Sequence, residues 1–520
     1  MSKTTIVGGK MYVFVGGDHI TYSEESIITS AKTITETGVE NGVSYGEPQN
    51  APPIFFGSNL PAKCIVQFRP RNNWKGEFGF DWFRIGDTGL DGDVNYETIV
   101  GQYYDKAILD KAIPEKTIAL NSNANTWTKF FKADPQPDAF SASDKIKALK
   151  KVYGIFEYSL ENDASEKHII KEYYKPVIAL YPTEPDPTKA GKFIETGKAK
   201  LELYLEFEKI DGNKVKPDKI IFEMDNALMD NTHPLVSIDN HTIVKSKIEK
   251  KIDIEITCKV EFAEDKEIKV WAITEDTSGK QIAKLQAGIL KMIAPAKKTV
   301  KDIVVVKVTT PSGTGNPLNL KIFKKNLKQA LIKTSVVEEV SSIGGSKKVT
   351  IDLSNPVNNL YNADFNLDRH VDTSINNRKN ITRTTGLDNL LIRTLERDYP
   401  GQFDNHFKLF FLDNTCDAVF DPADDSLKSS TAGYSRSDEN YHYGVMFGNH
   451  SEETIAHECL HGLGLPHSFF GDTFLYRAQK TDNIMDYSHL GVDKVNEGIA
   501  TKIIDRIATW YWQWKIINNL

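Results

Sequence analysis

The chain has little of what would make it fibrous, membrane-spanning or disulfide-stapled. Four cysteines among 520 residues, Cys64, Cys258, Cys416 and Cys459, are scattered without a CxxC pair. That excludes a disulfide framework and leaves four reduced thiols as the expectation. No apolar run reaches the length needed to cross a bilayer, so no membrane span is expected. Net charge is slight, −7 from 64 basic and 71 acidic residues, and the two signs are mixed along the chain, which excludes a nucleic-acid-binding stripe. The opening MSKTTIVGGKMYVFVGGDH has no continuous apolar segment and no small-residue cleavage site. It is not a secretory signal, so synthesis in the cytoplasm is expected, with any export by a specialised secretion system.

What is present is a soluble globular composition, 40% hydrophobic and 26% charged, in a chain long enough for three or four domains. Residues 1–52 alternate apolar and polar positions and end in the turn-rich GEPQNAPP, which marks a β-rich leader or targeting segment. Residues 53–175 carry the strand-like CIVQFRP, EFGFDWFRIG and KVYGIFEYSL around one lysine-rich helical stretch. Residues 176–298 hold closely spaced strands such as AKLELYLEFE, KIDIEITCKVEF and EIKVWAIT, a pattern that predicts a β-sandwich. From 299 onward strand and helix signals alternate, beginning with the strongly apolar DIVVVKVTT. That predicts a C-terminal α/β domain over 299–520.

The chemistry is densest at TIAHECLHGLGLPH, residues 454–467. Ser451 is a good helix N-cap, and Glu452 and Glu453 suit the positive end of the helix dipole. Ile455, Ala456, Cys459, Leu460 and Leu463 form one apolar face. His457 and His461, four apart, stand one turn above the other, in register to ligate one Zn²⁺. Glu458 can reach water at such a metal without being a ligand, which suits a general base. Gly464 permits a turn at positive φ, Pro466 stops the helix from resuming, and His467 can then swing back as a third ligand. Three protein ligands with one open position make a catalytic zinc site, not a closed structural one.

HECLHGLGLPH matches HExxHxxGxxH, and NIMDY follows at 483–487. In both, the chain resembles the metzincin zinc metallopeptidases. The resemblance implies an α/β metallopeptidase domain whose Met-turn residue is Met485, an apolar floor beneath the histidines. It also implies that Tyr487 stands near the metal as an extra ligand or a hydrogen-bond donor to the tetrahedral intermediate, as in astacin-like and serralysin-like members. Ser468 looks matrixin-like, so the subfamily stays open. An edge strand that binds substrate backbone is expected from GYSRSD or YGVMFG. The function implied is a zinc-dependent endopeptidase acting on protein or peptide substrates.

Plainer roles suit the neighbouring residues. Cys459 points about 200° around the helix from His457 and reads as core. His442, His450 and His489 read as surface or supporting residues. Asp421, Asp424 and Asp425 offer a Ca²⁺ site, but a solvated turn explains them better. The aromatic IATWYWQWKII near the C-terminus predicts a helix packed on the lower half of the catalytic domain. Residues 1–298 have three readings: a pro-segment, substrate-binding β-domains, or a delivery region that engages a secretion apparatus and makes the protein a toxin-like effector. The rival to an enzyme is a β-rich binding or secretion-apparatus protein with a vestigial or latent zinc site.

Overall fold

The computed structural model describes residues 62–101, 142–162, 167–354, 371–372, 380–382, 385–418, 429–437, 442–469, 474–489 and 502–518, a few positions within these stretches apart. The leader at 1–52 and the acidic DPADDS turn lie outside the described residues. The molecule is β-rich and built on several sheets. Among the described residues no helix is long and apolar enough to cross a membrane.

The first half of the described chain folds into two sheets over one core. In the first, β1 (Cys64–Pro70), β4 (Lys198–Phe207), β7 (Lys251–Cys258) and β6 (Val236–Ile238) pair antiparallel in that order. The second includes β5 (Lys219–Met224), β8 (Lys266–Glu275), β9 (Gln281–Ile293), β3 (Val177–Ala179) and β2 (Gly79–Asp81), with only β9 and β3 parallel. Strict alternation sets the faces. Ala199, Leu201, Leu203 and Leu205 of β4 point inward, where they share a core with Phe222, Val270 and Leu290 of the facing sheet. Alternate residues of a strand point to opposite faces, so a run such as KAKLELYLEF buries one row and exposes the other. β1 and β2 come from 53–175 and every other strand of the pair from 176–298. The boundary drawn at 175/176 therefore runs through both sheets and does not separate two domains.

A third sheet is centred on β10 (Thr299–Thr310), a long strand buried on both faces. Its first half pairs in parallel with β11 (Ile332–Val337) and its last residues with β12 (Thr350–Asp352). On the other side β13 (Phe407–Phe411) and β15 (His442–Met446) continue in parallel, and β14 (Gly433–Ser437) closes the edge antiparallel to β15. Ile303 and Val305 point toward the layer formed by α1 (Lys321–Gln329), α3 (Glu452–Gly462) and α4 (Tyr511–Asn518). Val304, Val306 and Val308 point the other way, onto α2 (Thr385–Asp398). Helices on both faces explain why β10 reads as a nearly continuous apolar run.

The α/β half and the sandwich are interlocked, and residues 61–520 form one compact unit. Val177, Ala179 and Ile293 of the sandwich sit in the same core as α1 and α3. A Cβ on Gly79 would meet the Gln329 carbonyl at 2.2 Å, so β2 lies directly against the end of α1. The tail fastens both halves. Trp510 and Trp512 belong to the sandwich core, while Tyr511, Trp514 and Ile517 belong to the α1/α3 core. The boundary drawn at 298/299 is likewise crossed by packing, and the C-terminal aromatics face two ways, not only toward the α/β half.

A buried ion cluster lies at this junction. Arg84 binds Asp81 at 3.1 Å and Asp482 at 3.0 and 3.1 Å. The second oxygen of Asp81 accepts the Tyr153 hydroxyl at 2.7 Å and the Tyr511 backbone N–H at 2.8 Å. The Arg84 guanidinium also lies 4.0 Å from the Trp82 ring centre. These partners come from segments about 400 residues apart in sequence.

Candidate metal centre

Helix α3 begins with a reciprocal cap. The Ser451 side chain accepts from the Thr454 N–H at 3.2 Å, and the Thr454 hydroxyl accepts from the Ser451 N–H at 3.3 Å. Two otherwise unpaired helix-start donors are satisfied in this way. Ile455, Ala456, Cys459 and Leu460 are fully buried. Burial pushes the Cys459 thiol above its ordinary range, which makes it an inert core residue. Gly462 lets the helix sit close on β13, since a Cβ there would meet the Phe407 ring at 2.5 Å.

The helix ends as a Schellman motif. Leu465 N–H donates to the Leu460 carbonyl at 3.0 Å and Gly464 N–H to that of His461 at 2.9 Å. Gly464 carries φ +95° with open space where a Cβ would go, so backbone conformation, not packing, demands glycine. Leu465 then packs in the same core as Leu460. The reversal brings His467 back over the helix.

His457, His461 and His467 converge. Their Nε2 atoms form a triangle with sides of 3.2, 3.1 and 3.1 Å. The Nδ1 of His457 lies 2.8 Å from the Ile484 carbonyl and that of His461 lies 2.6 Å from the Leu465 carbonyl. A carbonyl only accepts, so both Nδ1 atoms carry the proton and both neutral rings present an Nε2 lone pair. Burial, aided by the charge of neighbouring rings, holds His457 far below the usual imidazole range and His467 down to about 2. Burial alone takes His461 down to about 4. Lone pairs gathered this closely repel one another unless a cation lies among them. The test of fit is the donor set itself. Tetrahedral Zn–N bonds of 2.0–2.1 Å imply ligand–ligand edges of about 3.3 Å, close to those observed. The residues therefore fit a bound metal ion.

The NIMDY segment meets the cluster through the Ile484 carbonyl. Asp486 N–H donates to the Asn483 carbonyl at 3.0 Å, closing a turn around Ile484 and Met485. Asn483 Oδ1 accepts from the Met485 N–H at 2.9 Å and from Gln513 Nε2 at 3.0 Å, and Asn483 Nδ2 returns a bond to Gln513 at 2.9 Å. The Met485 carbonyl accepts from the Ser468 N–H at 3.2 Å, which ties the residue after the third histidine to the turn. Met485 is fully buried in the core shared with Ile455, Ala456, Cys459 and Leu460. Tyr487 stacks edgewise on His467, ring centres 4.8 Å apart, and lies 5.8 Å from His457. Burial, reinforced by the nearby Glu458 carboxylate, raises its phenol well above the usual range, so the hydroxyl keeps its proton.

Glu458 is part-buried on the side of α3 that faces edge strand β14. A Cβ on Gly433 would meet its Cγ at 3.2 Å. The edge strand is thus GYSRS, with YGVM as its inner neighbour. His442 and His450 bond the backbone carbonyls of Gly462 and Phe447 through Nδ1, and His489 is exposed beyond Tyr487. None of the three joins the cluster. Asp421, Asp424 and Asp425 lie outside the described residues. Sequence reading missed Gly433, Asn483, Asp486, Gln513 and Arg506. Only the turn-forming Asn and Asp around NIMDY offered a signal.

No family model and no curated protein matches the chain. Among solved structures, a C. elegans MSP family member, WR4, is similar over 23% of this chain and 91% of its own, at 13% identity. With a TM-score of 0.13, that likeness carries no argument about fold or function.

Proposed function

We propose that the protein is a zinc-dependent endopeptidase of metzincin type. One observation carries the reading: three neutral imidazoles deliver lone pairs to one point, with the Glu458 carboxylate one position from the first of them on the same helix. A structural metal site would need no such base. Zinc, when bound, supplies the Lewis acidity that makes water a competent nucleophile near neutral pH.

The chain's own residues do the rest. Glu458 accepts the proton of the attacking water as its oxygen bonds to the scissile carbonyl carbon. It then passes that proton to the leaving amine as the C–N bond breaks. Tyr487, whose phenol stays protonated, donates to the oxygen on which negative charge develops. Strand β14 is the last strand of its sheet among the described residues and runs beside Glu458, where an extended substrate can lie along it. Met485 and the Asn483–Gln513 pair fix the turn that holds His457.

The test is Glu458→Gln in the full chain. Zinc content should stay stoichiometric while cleavage of a peptide library falls by about a thousandfold or more. Undiminished cleavage would sink the mechanism. Zinc without cleavage of any library member by the wild-type chain would favour the rival, a β-rich binding protein with a latent site. Tyr487→Phe should lower turnover while sparing metal content; intact turnover would remove Tyr487 from the mechanism.

A further inference from the structure

Arg506 is a charged residue the mechanism above does not use. It is 6% exposed, and its place is fixed by backbone pairing on both sides. Ile504 N–H donates to the Ser488 carbonyl at 3.0 Å, and the Ile507 and Ala508 N–H groups both lie 2.9 Å from the Asp482 carbonyl. Arg506 therefore lies alongside the loop that carries Met485 and Tyr487. Its positive charge reaches His457, His467, Glu458 and Tyr487.

Among the described residues the guanidinium makes no ion pair, and its buried Nε has no hydrogen-bond partner. Arg84, fully buried at the junction of the two halves, has an unpartnered Nε too, but its two terminal nitrogens are held by Asp81 and Asp482. Among the acids around Arg506, Glu453 and then Asp486 act on it most strongly; Glu453 forms no ion pair with it, and Asp486 is already spent. Its two oxygens accept the Gln479, Lys480, Thr481 and Tyr487 N–H groups and the Thr481 hydroxyl. That fills the acceptor capacity of a carboxylate. Glu458 is committed to proton transfer. Burial pulls the Arg506 guanidinium below its ordinary range despite the acids around it, so those acids do not offset its desolvation. A buried cation without a bonded counter-charge is strongly unfavourable unless a ligand completes it.

We infer that Arg506 receives a carboxylate of the bound peptide, so that the enzyme selects substrates with an acidic group close to the scissile bond. The inference rests on the peptidase reading. Arginine suits the task, because its planar fork matches a carboxylate with two parallel hydrogen bonds. The carboxylate has two sources, an Asp or Glu side chain or the peptide's own C-terminus.

The experiment measures binding apart from turnover. Zinc-loaded full-length Glu458→Gln protein is immobilised and exposed to three peptide libraries. One contains internal Asp and Glu with amidated C-termini, one has free C-termini but no acidic side chains, and one has neither. One of the two carboxylate libraries should be retained about tenfold or more over the third, and which one identifies the source. Adding Arg506→Gln should abolish the difference, Arg506→Lys should restore part of it, and zinc content should match the parent in both. Equal retention of all three libraries overturns the inference. So does a preference that survives Arg506→Gln, since the carboxylate would then sit on the metal or elsewhere. Whether the unmodified enzyme cleaves anything is scored separately, so failure of the peptidase reading cannot be mistaken for failure of this one.

Discussion

Among the described residues, the buried polar clusters around Arg84 and around His461 are built on opposite rules. Around Arg84, unlike charges meet: one guanidinium lies between the carboxylates of Asp81 and Asp482, braced by Tyr153 and the backbone of Tyr511. Around His461, like groups meet, with Nε2 lone pairs about 3.1 Å apart and the outer nitrogens of His457 and His461 tied down by carbonyls. The first cluster pairs its cation with carboxylates of its own and joins the sandwich to the α/β half. The second is complete only with a cation at its centre. Burial alone therefore does not mark a functional site; an arrangement that its own groups cannot neutralise does.

The two rules predict different responses to the same kind of damage. Arg84→Met leaves two carboxylates buried together without their cation and should cost about 3–5 kcal/mol of stability, read from urea unfolding of the full chain. A loss under about 1 kcal/mol would mean that the cluster does not hold the halves together. Zinc should act on the other cluster alone. At a free concentration about a thousandfold above its dissociation constant it should stabilise the wild type by about 4 kcal/mol. His461→Ala should show no such gain, and an equal shift in that variant would place the metal elsewhere.

Proton linkage sharpens the contrast. The three histidines have folded values below the ordinary imidazole value of 6.5, His461 at about 4. Below about pH 6.5 the unfolded chain takes up protons that the folded, metal-free chain refuses, so stability falls as pH falls. The slope is about 1.4 kcal/mol per pH unit for each histidine, continuing until the folded value is reached. The check is the unfolding free energy at pH 7.5, 6 and 5, relative to a variant with all three histidines changed to leucine. A pH-independent difference would contradict the assigned neutral state. The smallest effect belongs to Gly464→Ala, which forces a Cβ into a left-handed conformation at about 1–2 kcal/mol. It should also weaken zinc binding, because the Schellman turn aims both His461 and His467. A stable variant with unchanged metal affinity would show that the turn is not needed.

Much of the candidate site is legible in the sequence because it is local. The register of His457 and His461, the cap at Ser451 and the turn at Gly464 all lie within fourteen residues, where helix geometry alone sets direction. The strand pattern is legible for the same reason, since alternation in β4 or the continuous apolar run of β10 reports the immediate surroundings of each strand. What does not show is long-range. Nothing near Arg84 says that its partner is Asp482, and nothing in CIVQFRP says that it completes a sheet with residues about 130 positions away. The domain boundaries failed on this point, because turn-rich linkers mark where the chain bends and not which strands pair. Arg506 is silent for a related reason: its surroundings are set by the return of the chain alongside the NIMDY segment, which no spacing rule encodes.

The central claim is that His457, His461 and His467 together bind one zinc ion. Elemental analysis after equilibrium dialysis tests it most directly, using full-length wild type, Glu458→Gln and His461→Ala under identical buffered zinc. The account predicts one zinc per chain for the first two and essentially none for the third. Wild type that fails to take up zinc, or a His461→Ala chain that retains it in full, would contradict it.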